Sequence, residues 1–231
     1  MRQLGVFAKY WKPGQVKTRL AAGVGAQRAA DLYRSFLETV LVRFGQPLSG
    51  HTAPEPARLD CHRVLAYAPP QRREDFERLA AGQWQLEPQA DGDLGTRMRA
   101  YFENALRNGY DQVLLIGSDA PTLPAERVVE AFAALERADV VLGPAGDGGY
   151  YLVGARERTP DIFDKIHWGS AEVWDQTLHR LRATATPFAT LDPWYDVDDE
   201  TGLKRLQLQL ADCQDDPALQ QLREKIWPMV S

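Results

Sequence analysis

Strand-like and helix-like segments alternate along almost the whole chain, and that alternation restricts it to a layered α/β fold with a mostly parallel sheet. Short apolar runs read as strands at Leu4 to Ala8, Val64 to Ala68, Trp84 to Glu87, Val113 to Ile116, Val140 to Leu142, Tyr150 to Val153 and Phe188 to Leu191. Ala29, Leu32, Phe36, Leu37, Val40 and Leu41 recur near a 3.6-residue period, which predicts a helix over Ala26 to Phe44. Further helices are expected at Arg72 to Ala81, Leu94 to Arg107, Ala125 to Arg137 and Glu172 to Arg182. Two more, at Glu200 to Leu210 and Ala218 to Trp227, complete the pattern. Residues 45–58 are a polar, Pro/Gly-rich loop, too short for a domain linker and the segment expected to be most flexible. No internal repeat is visible, and the 231 residues read as one compact domain.

With 44% hydrophobic and 26% charged residues, the chain can fill a sizeable core. Its net charge of −5 lacks the basic bias of a nucleic-acid binder. The first apolar run is too short for a signal peptide, and no stretch is long enough to insert in a bilayer. Cys61 and Cys213 stand far apart with no CxxC, as packed or free thiols. A cytoplasmic protein is expected, with a small-molecule substrate rather than nucleic acid or membrane as its partner.

The chemistry is concentrated after the strands. Val113 to Ile116 leads into Gly117-Ser118-Asp119, which delivers one carboxylate to the C-terminal edge of the sheet, where ligands of open α/β folds collect. Pro121 and Pro124 keep the following residues in a loop. Asp119 suits a metal or phosphate site, or it caps the next helix. After the first strand, Lys9, Lys12, Lys17 and Arg19 place four cations within eleven residues around Pro13-Gly14. Such a loop offers backbone N–H groups and side-chain cations to a phosphate, unless it is simply a solvated basic turn. Arg19 can grip a phosphate with two parallel hydrogen bonds, while Lys9 and Lys17 act as point charges.

Three more segments carry polar or glycine-rich patterns. In Asp91 to Met98, Gly92 and Gly95 allow close approach of a ligand and Arg97 projects from the first helical turn, with Asp93 available as N-cap. Residues 143–151 surround Asp147 with four glycines, Gly148 and Gly149 among them, more than a tight turn needs. Asp192 to Glu200 holds five acids in nine residues, and in an extended segment Asp196 and Asp198 project to one side as a pair of metal ligands would. Asp199 and Glu200 suffice for a favourable charge on the next helix. The four histidines have no zinc spacing, and GxSxG, GxGxxG and the P-loop pattern are missing.

The ordered set K-x-P-G-x-V-K-T-R-L, D-L-G-x-R-M, G-S-D-A-P-T-L-P, G-P-x-x-D-G-G-Y-Y-L, W-G-S and D-V-D resembles the bacterial GT-A-fold transferases called rSAM/selenodomain-associated transferase 1, or arsenosugar-biosynthesis glycosyltransferase. It is similar at greater distance to 2-phospholactate guanylyltransferases and molybdenum-cofactor nucleotidyltransferases. The resemblance spans about Leu4 to Leu203. It implies a three-layer α/β/α fold of the nucleotide-diphospho-sugar transferase (GT-A) type and a divalent cation, Mg²⁺ or Mn²⁺. Lys9, Gly14, Lys17, Arg19, Gly92, Gly95, Arg97 and Ser118 would hold the nucleotide. Asp119 and Asp198, with Asp196, would hold the metal. Asp147, Gly148, Gly149, Tyr150 and Trp168 would face the acceptor, with Lys17, Arg19, Asp119 and Asp147 as the catalytic set. Related chains often end D-x-D-T-P-E-D-L, whereas here Gly202 takes the place of the later acid. Glycosyl transfer from a nucleotide-sugar is the leading expectation. Nucleotidyl transfer from an NTP and a binding protein without turnover are the alternatives.

Overall fold

The computed structural model describes residues 1–46, 60–213 and 215–230. Seven strands form one sheet: β1 (Arg2–Lys9), β2 (His62–Ala68), β3 (Gln85–Pro88), β4 (Gln112–Gly117), β5 (Val140–Pro144), β6 (Tyr150–Arg156) and β7 (Phe188–Thr190). Their order is β3-β2-β1-β4-β6-β5-β7. β1 pairs in parallel with β2 and β4, with Val6 opposite Leu65 and Ile116, while β6 alone runs antiparallel to its neighbours β4 and β5. The sheet is therefore mostly parallel, as expected.

Eight helices connect these strands: α1 (Thr18–Val24), α2 (Ala26–Gly45), α3 (Arg73–Ala80, after a 3-10 turn at Pro70–Arg72), α4 (Leu94–Arg107), α5 (Ala125–Ala134), α6 (Val173–Ala183), α7 (Glu200–Asp212) and α8 (Pro217–Val230). Seven of them fall where the apolar periodicity puts them. α1 is the exception, because it lies inside the stretch read as a basic loop. The expected flexible loop, apart from residues 45 and 46, lies outside the described residues.

Alternation along the strands produces two buried faces. Leu4, Val6, Leu65, Leu114 and Ile116 pack on one side with Leu37, Phe44, Phe76 and Phe132 from α2, α3 and α5. Val64, Val113, Leu115, Leu142 and Val153 pack on the other with Met98, Phe102 and Leu181 from α4 and α6. Each such buried side chain contributes about 1.5–3 kcal/mol of hydrophobic stabilisation, which fixes the three layers. A third cluster joins Leu20 of α1, Leu32 and Phe36 of α2, Leu203 and Leu206 of α7 and Leu222 of α8 around Tyr195 and Val197.

This topology positions the site. The chain crosses from β1 to β2 on one side and later returns to place β4 on the other. The C-terminal ends of β1 and β4 therefore diverge above a crevice, the place where open α/β sheets hold ligands. Among the described residues, no helix is long and apolar enough to cross a membrane.

Candidate active site

Three carboxylates meet at the end of β4. One oxygen from each of Asp119, Asp196 and Asp198 lies within 4.8 Å of the others. Asp119 follows β4 directly, and its Oδ1 would be only 2.6 Å from a Cβ at residue 117, so glycine there leaves room for the carboxylate. The other two acids arrive from a distant stretch. After β7, the chain continues beside β5 through Leu191 N to Leu142 O (2.9 Å) and Trp194 N to Pro144 O (3.1 Å). Val197 N then donates to Asp119 O at 2.9 Å. The Val197 side chain is fully buried among α1, α2 and α7. In extended backbone, that burial turns Asp196 and Asp198 to the opposite face together.

Further hydrogen bonds hold the frame. Thr122 Oγ1 donates to Tyr195 Oη (3.1 Å), which donates to Gln209 Oε1 (2.6 Å). Arg43 Nη1 on α2 donates to the carbonyls of Pro121 and Leu123, each at 2.8 Å, and so fixes the loop after Asp119. Tyr33, also on α2, accepts from Lys9 N (3.0 Å) and pairs with Ser118 Oγ (2.7 Å), tying the ends of β1 and β4 together. Neither Tyr33 nor Arg43 was found by reading the sequence. The only signal was a polar group on an otherwise apolar helix stripe.

Lys17 sits at the centre of the acids. Its backbone is left-handed (φ 48°) at the N-terminus of α1. Its Nζ donates to Asp119 Oδ2 at 2.9 Å and to Asp198 Oδ1. Burial disfavours the ammonium, yet Asp119 and Asp198 together outweigh it and raise the Lys17 pKa. Asp119 shows the mirror image: burial opposes its charge, and Lys17 overrides it to hold the carboxyl below its usual range. Asp196 has no such partner. Burial, followed by the charges of Asp119, Asp198 and Asp147, pushes it up to about 7. In the cluster, the lysine ammonium thus bridges two of the three carboxylates. The cluster's all-oxygen donor set fits a hard divalent ion such as Mg²⁺ or Mn²⁺.

Two cavities flank the acids. The first, about 630 Å³, is lined by Lys9, Lys17, Gly92, Arg97, Ser118, Asp119 and Tyr150 with Asp196 and Asp198. Arg97 Nε is held by Gly92 O at 2.8 Å, and Asp93 caps α4 by accepting from Thr96 N at 2.8 Å. The second, about 450 Å³, is lined by Arg19, Asp147, Ser170, Tyr195, Arg205 and Asp199, again with Asp196 and Asp198.

The expected site residues fall in several different places. Lys17, expected at the nucleotide, lies between Asp119 and Asp198 and pairs with both. Arg19 opens into the second cavity, not the first, since α1 begins at Thr18 and turns the two cations apart. Tyr150 lines the first cavity and Asp147 the second. Gly95 is buried, and a Cβ there would meet Phe163 O at 2.3 Å and Trp168 Nε1 at 2.4 Å. That glycine serves close packing of Trp168 on α4, and Trp168 is partly buried against the core and lines neither cavity. Gly148 likewise accommodates the Ala171 backbone, Gly149 N donates to Asp147 Oδ1 (2.9 Å), and Gly14 is exposed outside both cavities. Gly202 has a local reason as well: a Cβ would lie 3.0 Å from Asp196 O, so glycine lets α7 start against the acidic segment.

Residues 55–170 match the family described as "Uncharacterized protein conserved in bacteria (DUF2064)", a span of half the chain. The chain belongs to the DUF2064 family. Among solved structures, the DUF2064 chain resembles a protein of Desulfovibrio desulfuricans G20 described provisionally as a nucleotide-diphospho-sugar transferase. The two are 35% identical with a TM-score of 0.84, over 99% of this chain and 96% of that one. The 4-diphosphocytidyl-2C-methyl-D-erythritol synthase of Anaerococcus prevotii DSM 20548 shares the fold at 8% identity, with a TM-score of 0.54 over 91% of this chain and 99% of that one. The inositol-1-phosphate CTP transferase of T. maritima does so at 12% identity, with a TM-score of 0.51 over 100% and 98%. A comparison with curated proteins finds no match. The transferase resemblance read from the motif order, and the nucleotide-diphospho-sugar transferase fold of this DUF2064 protein, are both borne out.

Proposed function

We propose that the protein is a divalent-cation-dependent transferase that moves a glycosyl group from a nucleotide-sugar in the first cavity to a small acceptor in the second. The observation that carries this reading is the double exposure of Asp196 and Asp198, which line both cavities. A two-substrate enzyme needs one such wall, where the leaving phosphate of the donor and the nucleophile of the acceptor meet. The 35% identical relative, described provisionally as a nucleotide-diphospho-sugar transferase, supports the donor class.

Asp119, Asp196 and Asp198 would hold the cation, which supplies charge neutralisation at the leaving phosphate. Lys9 and Arg97 face the donor cavity as cations for its phosphates, and Ser118 presents a hydroxyl there. Lys17 lies within reach of the same phosphates once the acids have another cation to pair with. Asp147 is exposed at the acceptor cavity and oriented by the Gly149 N–H, a position suited to accepting the acceptor's proton.

A second reading, nucleotidyl transfer from an NTP to a phosphorylated small molecule with release of pyrophosphate, is favoured by one feature. Asp119 stands alone after β4, with Ala120 and Pro121 following, and its partner acids come from a separate segment. That arrangement accommodates a triphosphate as readily as a nucleotide-sugar.

Thermal melting with nucleotides and Mn²⁺ tests the site: both together should raise the melting temperature, and Asp119→Asn should remove the metal-dependent part. An Asp119→Asn variant that responds like the parent rejects the metal assignment. Release of nucleoside diphosphate from a UDP- or GDP-sugar identifies glycosyl transfer, and pyrophosphate from a labelled NTP identifies nucleotidyl transfer. Neither product across a broad screen leaves a binding protein without turnover.

A further inference from the structure

The second cavity holds two arginines that form no ion pair with the described residues. Arg19 is on α1 and Arg205 on α7, and the two helices are brought together by the shared packing of Leu20, Leu203 and Leu206. Among the described residues, neither guanidinium has a salt bridge, in a chain where many other arginines do. Arg205 instead stacks on the Tyr195 ring, 3.9 Å from its centroid, an arrangement that holds the fork in place while leaving its N–H groups free.

The acids around them are already engaged. Asp199 caps α7 by accepting from Gly202 N at 2.8 Å, and Asp147 accepts from Gly149 N. Asp196 and Asp198 belong to the cation site, and Lys17 pairs with Asp198. Asp147 and Asp199 stay charged in these bonds and the two guanidiniums balance them, while the guanidinium N–H groups have no acceptor among the described residues. Side chains of this type, lining a cavity of about 450 Å³ beside the reacting wall, match a planar or tetrahedral oxyanion through paired hydrogen bonds.

We propose that the acceptor is anionic, a small molecule bearing a phosphate or carboxylate group that Arg19 and Arg205 bind together and so orient its nucleophile toward the Asp196–Asp198 wall. This rests on the two-cavity reading above, and it takes Arg19 away from the donor nucleotide and gives Arg205 a role.

Calorimetric titration of the metal-free protein with inorganic phosphate, and separately with glycolate, tests the proposal and separates the two anion types. At least one probe should bind, and Arg19→Gln or Arg205→Gln should each weaken it by about tenfold, the loss expected for one charged hydrogen-bond donor. The same loss should persist in an Arg97→Gln background, which removes a cation from the other cavity. Melting with nucleotide and Mn²⁺ should be retained in both Arg19→Gln and Arg205→Gln. Equal binding by parent and both variants, or a loss confined to Arg97→Gln, overturns the anionic-acceptor inference while leaving the transferase reading intact. Loss of the nucleotide response in Arg19→Gln also overturns it, by returning Arg19 to the donor. Failure of the Asp119→Asn test strikes the transferase reading instead, so the two failures are distinguishable.

Discussion

Lys17→Met keeps the length of the stem and removes only the ammonium, so it isolates the charge at the centre of the acids. In the parent, Nζ lies 2.9 Å from Asp119 Oδ2 and also bonds Asp198, with the lysine side chain 4% exposed and each carboxylate 33% exposed. Opposite charges at about 3–4 Å attract by roughly 4–6 kcal/mol per pair at an effective dielectric near 20. Burying the lysine costs part of that gain, and partial exposure of the carboxylates screens more. The net loss expected is about 2–4 kcal/mol, at or below the usual cost of breaking a buried pair. In a chain of this size that lowers the melting temperature by roughly 5–15 °C. Scanning fluorimetry in the presence of a chelator measures it. Mn²⁺ should then restore much of the loss, because the acids regain a cation, so the Mn²⁺-induced rise should be larger in the variant than in the parent. A variant that melts within about 2 °C of the parent without metal, or gains less from Mn²⁺, would refute the idea that lysine and metal answer the same charge.

Other consequences follow from the same geometry. Gly95→Ala should destabilise by about 1–3 kcal/mol in urea unfolding, despite alanine's better helix propensity, because its Cβ overlaps Phe163 O and Trp168; a stabilised variant contradicts this packing role. Tyr33→Phe should cost about 1–3 kcal/mol by leaving Lys9 N without its acceptor and Ser118 without its partner, and unchanged unfolding denies that Tyr33 ties the two strand ends. Asp196 gives a pH signature. Its carboxyl has a folded pKa of about 7 against an ordinary 3.8, chiefly from burial and then from the neighbouring acids. The folded state therefore binds more protons than the unfolded state between those values, and the metal-free protein loses stability as pH rises from about 4 to 7. Asp196→Asn should melt higher than the parent at about pH 8 but not near pH 4, where both forms are neutral; an equal gain at both pH values removes Asp196 as the cause.

Most of the secondary structure was legible because it is local: apolar periodicity sets the strands and seven helices, and Asp119 directly follows its strand. The pairing of Asp196 with Asp198 was legible too, since alternation about Val197 is a property of any extended backbone. What could not be read was set by contacts across the chain. α1 has no Ser, Thr, Asp or Asn cap to announce it; its N-cap is a left-handed lysine held by two distant carboxylates. Without that helix, Lys17 and Arg19 look like one phosphate clamp, and with it they open toward different cavities. Gly92 and Gly95 look equivalent in D-G-D-L-G, yet one lines a cavity and the other seats an indole, because a missing Cβ serves ligand approach and helix packing equally well.

The same ambiguity applies to charge, and it bears on how the site works. A lysine near a phosphate site can pair with the substrate's anions or with the protein's own acids, and sequence does not distinguish them. Here it pairs with the acids. Three carboxylates within 4.8 Å repel one another, and without a metal it is the Lys17 ammonium that holds two of them together, while Asp196 relieves the rest of the repulsion by keeping its proton up to about pH 7. Binding a divalent ion is then an exchange of one cation for another rather than the filling of a bare anionic hole. That exchange frees the lysine when a charged donor needs it, and it makes cation and donor phosphate bind better together than apart. Titrating Mn²⁺ with and without nucleoside diphosphate should show this coupling in the parent, and its disappearance in Lys17→Met would trace it to the lysine. Equal coupling in both proteins would mean that the ammonium stays with Asp119 and Asp198 throughout, a structural counter-ion and nothing more.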